Sequence, residues 1–516
     1  MKLKSLIPIS AALLLASCAA PTPSSEPTPA PSSEPPAPSS SEPAPSSEPA
    51  SISSDTWEQD TTPVSIEFMS NTSYGDNIDS YIAAFQAQYP WITVTNKKES
   101  ADYQGVIDKV IEGIPANNYP DIVVGYPDAI EGIMEAGKLV KLDKWIDDPH
   151  VGWSEDDLDD IIETYLEEGR QYPRSGTFSL PFSKSTEAMF YNKDVLIGLD
   201  LSAIDATINA GNPITEDYLN DLTWEELFDK LCPAIVTYNN GLDDEHKILK
   251  DDPNYSKAVV GYDSDDNFFI TLAEQYGYPY TSINEYGEGS IDFVNDGMKG
   301  LVKKLREYYD KGYLITKGSS KGGNYTNYSF TAGAALFTVG STGGLKYQVC
   351  DDFETAIAPL PYPEGKTRKL ISQGPSLALL NHGDEHRVEA AWLFAKFITN
   401  VQNSLDWAVN TGYLPIRYSV SASAAYRTAI EEGLLEDVHS LDHLKAVCAQ
   451  YVGNAAFVGD CLYGSPVFKG SAAARTQVGG TIVTSLLTMA ADKYNDAAVD
   501  TAFETAKSNT LKAMND

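Results

Sequence analysis

The segment Phe337-Thr338-Val339-Gly340-Ser341-Thr342-Gly343-Gly344 carries the most suggestive chemistry in the chain. An apolar run enters glycines that flank two hydroxyls. Glycine lets backbone N–H groups approach an oxygen-rich ligand, and Ser341 and Thr342 donate alongside them. A nucleotide phosphate loop is excluded, because no lysine follows the glycines at the required place. A plain glycine-rich turn has the same composition, so both readings stay open here. Ser185 sits between two apolar runs and either lines a cleft or satisfies crossover backbone. Tyr413, in Gly412-Tyr413-Leu414-Pro415, presents a flat face for a sugar ring, a phenolic donor, or simple packing. Arg475, after Ala472-Ala473-Ala474, is a guanidinium able to grip a phosphate with two parallel hydrogen bonds, or a solvated arginine at a helix start.

Other clusters carry less. Asp263-Ser264-Asp265-Asp266-Asn267 runs on to Glu274 at near calcium-loop spacing, yet Phe268 stands where the sharp turn needs glycine. His382 with His386, and His439 with His443, are four-residue pairs in polar stretches and read as exposed helix ends rather than zinc ligands. No Gly-x-Ser-x-Gly element appears, and no catalytic constellation stands out. The reading is a binding protein with no metal and no cofactor, against the alternative of a surface glycan hydrolase or adhesin.

The elements that must position these groups follow from periodicity. Val64 to Met69 alternates as a strand; Asn77 to Tyr89 spaces Ile78, Tyr81, Ile82, Phe85 and Tyr89 as a helix. Trp91–Thr95 and Asp121–Val124 read as further strands, with helices over Tyr103–Ile114 and Ile130–Ala136, the last closed by Gly137. Thr223 with Glu226 forms a capping box at a helix start. Further helices are expected at Met298–Tyr309, Arg387–Thr399, Val478–Lys493 and Ala497–Met514. Strands separated by helices imply a layered α/β fold with a mostly parallel sheet, whose ligands bind beyond the strands' carboxyl ends.

The amino terminus is of a different kind. Two lysines and an apolar run lead to Leu15-Ala16-Ser17-Cys18, so residues 1–17 read as a signal peptide and Cys18 as a lipidation site. Two acyl chains on that residue make a durable membrane anchor. Residues 19–62 repeat proline, serine and glutamate, with too few apolar side chains to repay ordering. Extended as polyproline at about 3.1 Å per residue, they reach over ~100 Å. The remaining 454 or so residues exceed one hydrophobic core and suit two. With 37 basic and 73 acidic residues the chain carries −36, which excludes nucleic acid as a partner. An anionic ligand therefore needs a local electropositive pocket. Cys232, Cys350, Cys448 and Cys461 allow three disulfide pairings, with free buried thiols equally open.

Several segments together resemble the family 1 extracellular solute-binding proteins of ABC importers, and most nearly the binders of sugars and glycerol 3-phosphate. They are Tyr119-Pro120-Asp121-Ile122, Leu180 to Thr186, Phe190-Tyr191-Asn192-Lys193, Leu222 to Leu227, Phe330 to Ala335 with Gly340 to Gly344, and Thr411 to Pro415. The resemblance implies a type II periplasmic-binding fold with a hinge and an interlobe cleft. Lobe one is placed at 63–182 and 359–408, lobe two at 183–358 and 409–516. It further implies a permease partner, a monomeric head on the outer face of the membrane, and ligand contacts from Tyr103, Ser185, Ser341, Gly374, Tyr413 and Arg475, with Thr342 beside them. Where glycerol-phosphate binders place a glutamate, this chain has Gly125-Tyr126-Pro127-Asp128. Tyr126 stacks on sugars and Asp128 accepts from hydroxyls, so the expected ligand leans to carbohydrate over glycerol phosphate.

Overall fold

The computed structural model describes residues 58–74, 77–99, 102–452 and 461–515. The expected signal peptide, Cys18 and the proline-rich stretch lie outside the described residues.

Two five-stranded sheets organise the chain. The first runs in the order Ile92–Glu99, Val64–Asn71, Ile122–Gly125, Ser376–Leu379 and Leu180–Pro181. The second runs Thr355–Ala358, Glu187–Asn192, Phe337–Ser341, Val260–Tyr262 and Leu314–Thr316. Alternation drives the outer pair of the first sheet. Ile66 and Phe68 are buried on Val64–Asn71, and Ile92 and Val94 on its neighbour. Their registers, Val64 opposite Ile92 and Phe68 opposite Ile122, are parallel, as helices crossing over between strands require.

Neither sheet is mostly parallel, and here the expectation is corrected. Ser376–Leu379 runs antiparallel to both of its neighbours, and Glu187–Asn192 does the same in the second sheet. The reason is connectivity. These strands are entered from the other sheet rather than through a local helical crossover, so nothing forces them parallel.

Helices Asn77–Gln88, Tyr103–Gly113, Asp296–Asp310, Glu385–Ile398 and Asp496–Asn515 stand within a few residues of the expected spans. The Thr223 capping box is present: Glu226 N–H donates to Thr223 Oγ1 at 3.1 Å, and Thr223 N–H to Glu226 Oε2 at 3.4 Å. The expected helix at 478–493 begins earlier, at Ser471, and ends at Leu487, with a wide turn over Val478–Thr484. All four described cysteines are free, and three are buried. His443 is buried, and the side chain of His382 is only 7% exposed. The His382 ring stacks on Tyr119 at 4.1 Å, and that apolar face draws the imidazole in despite its polar neighbours in sequence. Among the described residues, no helix is long and apolar enough to cross a membrane.

Three crossing segments join the sheets side by side. Leu414 N–H donates to Lys184 O at 2.7 Å, Ser185 N–H to Gln373 O at 2.9 Å, and Gln373 N–H to Ser185 O at 2.8 Å. Residues 183–186, 372–375 and 413–415 thus form a narrow hydrogen-bonded strap, the hinge of a two-lobed type II binding-protein fold. Gly374 adopts φ +90° there, and a Cβ on it would stand 1.9 Å from Ser183 O. Only glycine fits.

Candidate functional site: a tyrosine and arginine cleft between the lobes

Strand direction decides where the groups gather. Gly125, Tyr262 and Ser341 end their strands, while Glu187 and Ser376 begin antiparallel ones. Ser341 stands opposite Glu187, and Ser376 opposite Gly125, so these ends meet at one edge of each sheet. Beyond Gly125, Tyr126 caps helix Pro127–Glu135, with Pro127 at its first position and Asp128 in its first turn. Both placements are local: proline lacks the N–H a helix start leaves unpaired, and a carboxylate favours the helix's positive end.

On the side of the second sheet, Ser341 Oγ accepts from Gly343 N–H at 3.1 Å and turns the chain away from the strand. The same hydroxyl donates to Ser185 Oγ at 3.2 Å. Thr342 is fully buried; its Oγ1 accepts from Thr186 N–H at 3.1 Å, and its own N–H donates to Thr186 O at 2.8 Å. The glycine-rich turn and the Ser185 segment are therefore one structure. Thr342 serves the backbone and Ser185 is buried behind Ser341, which leaves Ser341 as its one part-exposed hydroxyl.

Tyrosines wall the opposite side. Tyr103 OH lies 3.3 Å from both Tyr74 OH and Tyr413 OH. The Tyr103 ring meets Tyr126 edge-on at 5.4 Å, and Tyr413 stacks on Trp407 at 6.2 Å. Gly343 leaves room for Tyr413, since a Cβ there would stand 2.6 Å from its ring. Burial first, and the other phenols second, push the Tyr103 hydroxyl far above the ordinary range. Tyr126 is pushed up to about 12 by burial, with Arg475 pulling the other way. These phenols remain neutral hydrogen-bonding groups.

Arg475 closes the site. It lies on helix Ser471–Gln477, and its Nε donates to Asp128 Oδ2 at 2.9 Å. Its NH1 donates to Asp266 Oδ2 at 3.1 Å and to Asn267 Oδ1 at 2.5 Å. Asp128 follows a strand of the first sheet and Asp266 a strand of the second, so one guanidinium spans the seam. Burial works against its charge, but Asp128 and Asp266 outweigh it and raise its pKa above the usual value. The side chain remains 26% exposed, enough to meet a solute. Arg475 is thus neither a free guanidinium nor a fully solvated one, because two carboxylates already engage it.

All nine expected residues fall along this seam: Tyr103, Tyr126, Asp128, Ser185, Ser341, Thr342, Gly374, Tyr413 and Arg475. Sequence reading missed Asp266, Asn267 and Glu187. The first two belong to the calcium-like run, where Ser264 instead caps helix Asp265–Tyr276 and accepts from Asn267 N–H at 3.3 Å. Capping residues at a strand's carboxyl end were the signal available. Gln373 Nε2 and Ser372 Oγ, on the middle crossing segment, are buried atoms with no partner among the described residues. Among those residues no group of three or more His, Cys, Asp or Glu is arranged to hold a metal.

Comparison with known proteins agrees with this architecture. The family model described as bacterial extracellular solute-binding protein matches residues 80–434. The sn-glycerol-3-phosphate-binding periplasmic protein UgpB of Salmonella typhimurium is 22% identical over 371 residues, covering 70% of this chain and 74% of that protein. Among solved structures, UgpB from Mycobacterium tuberculosis in complex with glycerophosphocholine superposes with a TM-score of 0.64 at 19% identity, over 88% of this chain and 98% of that one. The cyclic alpha-maltosyl-1,6-maltose binding protein from Arthrobacter globiformis gives 0.61 at 17% identity, over 88% and 99%. The chain belongs to the bacterial extracellular solute-binding proteins, the non-catalytic receptors of ABC importers.

Proposed function

We propose that this protein captures a glycerophosphoryl solute, either sn-glycerol 3-phosphate or a glycerophosphodiester, between its lobes and passes it intact to a membrane permease. The observation that carries the reading is the guanidinium of Arg475, 26% exposed at the seam between the two sheets, with the phenol of Tyr126 within its electrostatic reach. The glycerol-phosphate names of the curated relatives support it, as does the glycerophosphocholine bound in the mycobacterial structure. Charge decides within the class. Asp128 and Asp266 face the same arginine, so a diester with one negative charge is favoured over a monoester with nearly two.

Tyr103, Tyr126, Asp128, Ser341, Tyr413 and Arg475 form the proposed contact set, with buried Ser185, Thr342 and Gly374 holding the turn and the hinge behind them. The glycerol hydroxyls meet Ser341, and the phosphoryl oxygens meet Arg475. Lobe one comprises 63–182 and 359–408, with the remainder in lobe two, and closure follows from tighter binding to the closed state. Cys18 anchors a monomeric head at the outer face of the membrane, with residues 19–62 as spacer.

A carbohydrate is the second reading, favoured by the two carboxylates that already satisfy Arg475 and would accept from sugar hydroxyls. Thermal shift of the purified protein against sn-glycerol 3-phosphate, glycerophosphocholine, maltose and maltotriose separates the two, repeated with Arg475→Ala. Stabilisation by a glycerophosphoryl compound that the substitution abolishes supports the first. Response to sugars alone overturns it in favour of the second.

A further inference from the structure

Beneath Arg475 lies a carboxylate that neither the sequence motifs nor the proposed binding set includes. Glu187 opens the strand Glu187–Asn192 and is 1% exposed. Its Oε2 accepts from the Tyr262 hydroxyl, and its Oε1 accepts from Asn267 Nδ2 at 3.0 Å. That second bond matters for what lies above. A side-chain amide has a donor end and an acceptor end, so a partner that takes one end decides what the other end offers. With Nδ2 held by Glu187, Asn267 can only turn Oδ1 toward Arg475 NH1, which donates to it at 2.5 Å.

Asp128 and Asp266 attract the guanidinium from two sides. Asn267 adds direction, because its oxygen fixes which edge of the planar group is occupied. We infer that Glu187 is a positioning residue: through the Asn267 amide it sets the orientation in which Arg475 meets the solute. This rests on the reading of Arg475 as a ligand contact.

Changing the bottom of the relay should change the top. A neutral glutamic acid, or a glutamine, carries a donor as well as an acceptor, where the carboxylate only accepts. The bond from Asn267 then loses its charge assistance, and where the new donor faces Asn267 the amide turns over and sets its NH2 group against the guanidinium. Proton uptake at Glu187 is within reach near neutrality. Burial pushes its carboxyl up to about 7, with Tyr262 and Asn267 holding it down, Asp266 raising it and Arg475 lowering it. Tyr463 completes the titratable surroundings through Tyr262. On the alkaline side of about 7 the Glu187 carboxylate sets the relay; on the acid side the proton loosens it.

The test uses the whole protein. The Nε–Hε NMR resonance of Arg475, assigned by its loss in Arg475→Ala, is followed from pH 5.5 to 8.5 without ligand in wild type and Glu187→Gln. The expected result is a wild-type shift with a midpoint near 7, and a pH-insensitive Gln variant resembling the wild type's acid form. A wild-type resonance that stays fixed across this range overturns the inference, and this arm needs no variant to fold. Calorimetry with glycerophosphocholine then reads function. Glu187→Gln should weaken binding about 10-fold at pH 8 (one factor of ten in the equilibrium constant), and should add nothing in the Arg475→Ala background. An equal loss in both backgrounds also overturns the relay. If Arg475→Ala leaves glycerophosphocholine binding intact, it is the ligand reading that fails, while the resonance still decides the relay.

Discussion

Two charged clusters hold the crossing region together, and they differ in how much water each sees. At the hinge, Lys184 is wholly buried and Glu168 nearly so; Lys184 Nζ donates to Glu168 Oε2 at 2.5 Å and to Gly374 O at 3.1 Å. It also lies 5.5 Å from the centre of the Tyr165 ring. In the cleft, Arg475 is 26% exposed, and its partners Asp128 and Asp266 are 17% and 29% exposed. The dry cluster locks the crossing segment 183–186 to its neighbour 372–375, where an unpaired charge has no water to retreat to. The half-wet cluster can exchange a carboxylate for a solute oxygen at small cost. A binding protein needs both, one pair that never lets go and one that does.

The sharpest way to break this contrast is at Lys184. Lys184→Met should cost about 3–5 kcal/mol by chemical denaturation, because Glu168 is left charged and buried. Adding Glu168→Leu should restore most of it. A loss under about 1 kcal/mol for the single change would show that the hinge pair is not dry. Gly374→Ala comes next. Its Cβ would stand 1.9 Å from Ser183 O at φ +90°, so a loss of roughly 2 kcal/mol or more is expected in the same measurement. Arg475→Ala should behave oppositely to Lys184→Met, changing folding stability by less than about 1 kcal/mol. Its binding loss should be about 2 kcal/mol in calorimetry, in keeping with a charge-assisted contact.

The smallest effect concerns Glu131, one helical turn beyond Asp128. Its Oε1 has no partner among the described residues, and burial, aided by Glu135, pushes its carboxyl up to about 7. The folded protein therefore binds this proton more tightly than the unfolded chain does. The resulting stability is present below the ordinary carboxyl value and is lost as pH rises through about 7. Glu131→Gln should then melt higher than wild type at pH 8, by about 1 kcal/mol after solvent screening, and match it at pH 5. Differential scanning calorimetry at the two pH values checks the sign.

Much of the frame was legible. Alternation placed the first strands, three-to-four-residue spacing placed the helices packed on them, and Thr223 with Glu226 marked a helix start. The site was legible by residue type and by resemblance: tyrosines 103, 126 and 413, which meet in one wall, are 23 and 287 positions apart along the chain. What stayed hidden shares a cause. Glu187 opens a strand that runs on through Ala188, Met189 and Phe190, and nothing local says that a phenol from Tyr262 and an amide from Asn267 will satisfy it. Lys184 carries no local sign of burial for the same reason. His382 reads as exposed because its burial comes from Tyr119, 263 positions away.

By itself the sequence determined the elements, the two-core size, the strongly acidic balance and the residue types at strand ends, because these depend on neighbours a few positions apart. Only the tertiary structure decided that both sheets are mixed, that one arginine faces two carboxylates, and which ion pair is dry. Those outcomes depend on distance and on exclusion of water, and charge–charge energy varies severalfold with local dielectric. Short-range spacing along a chain carries no record of either.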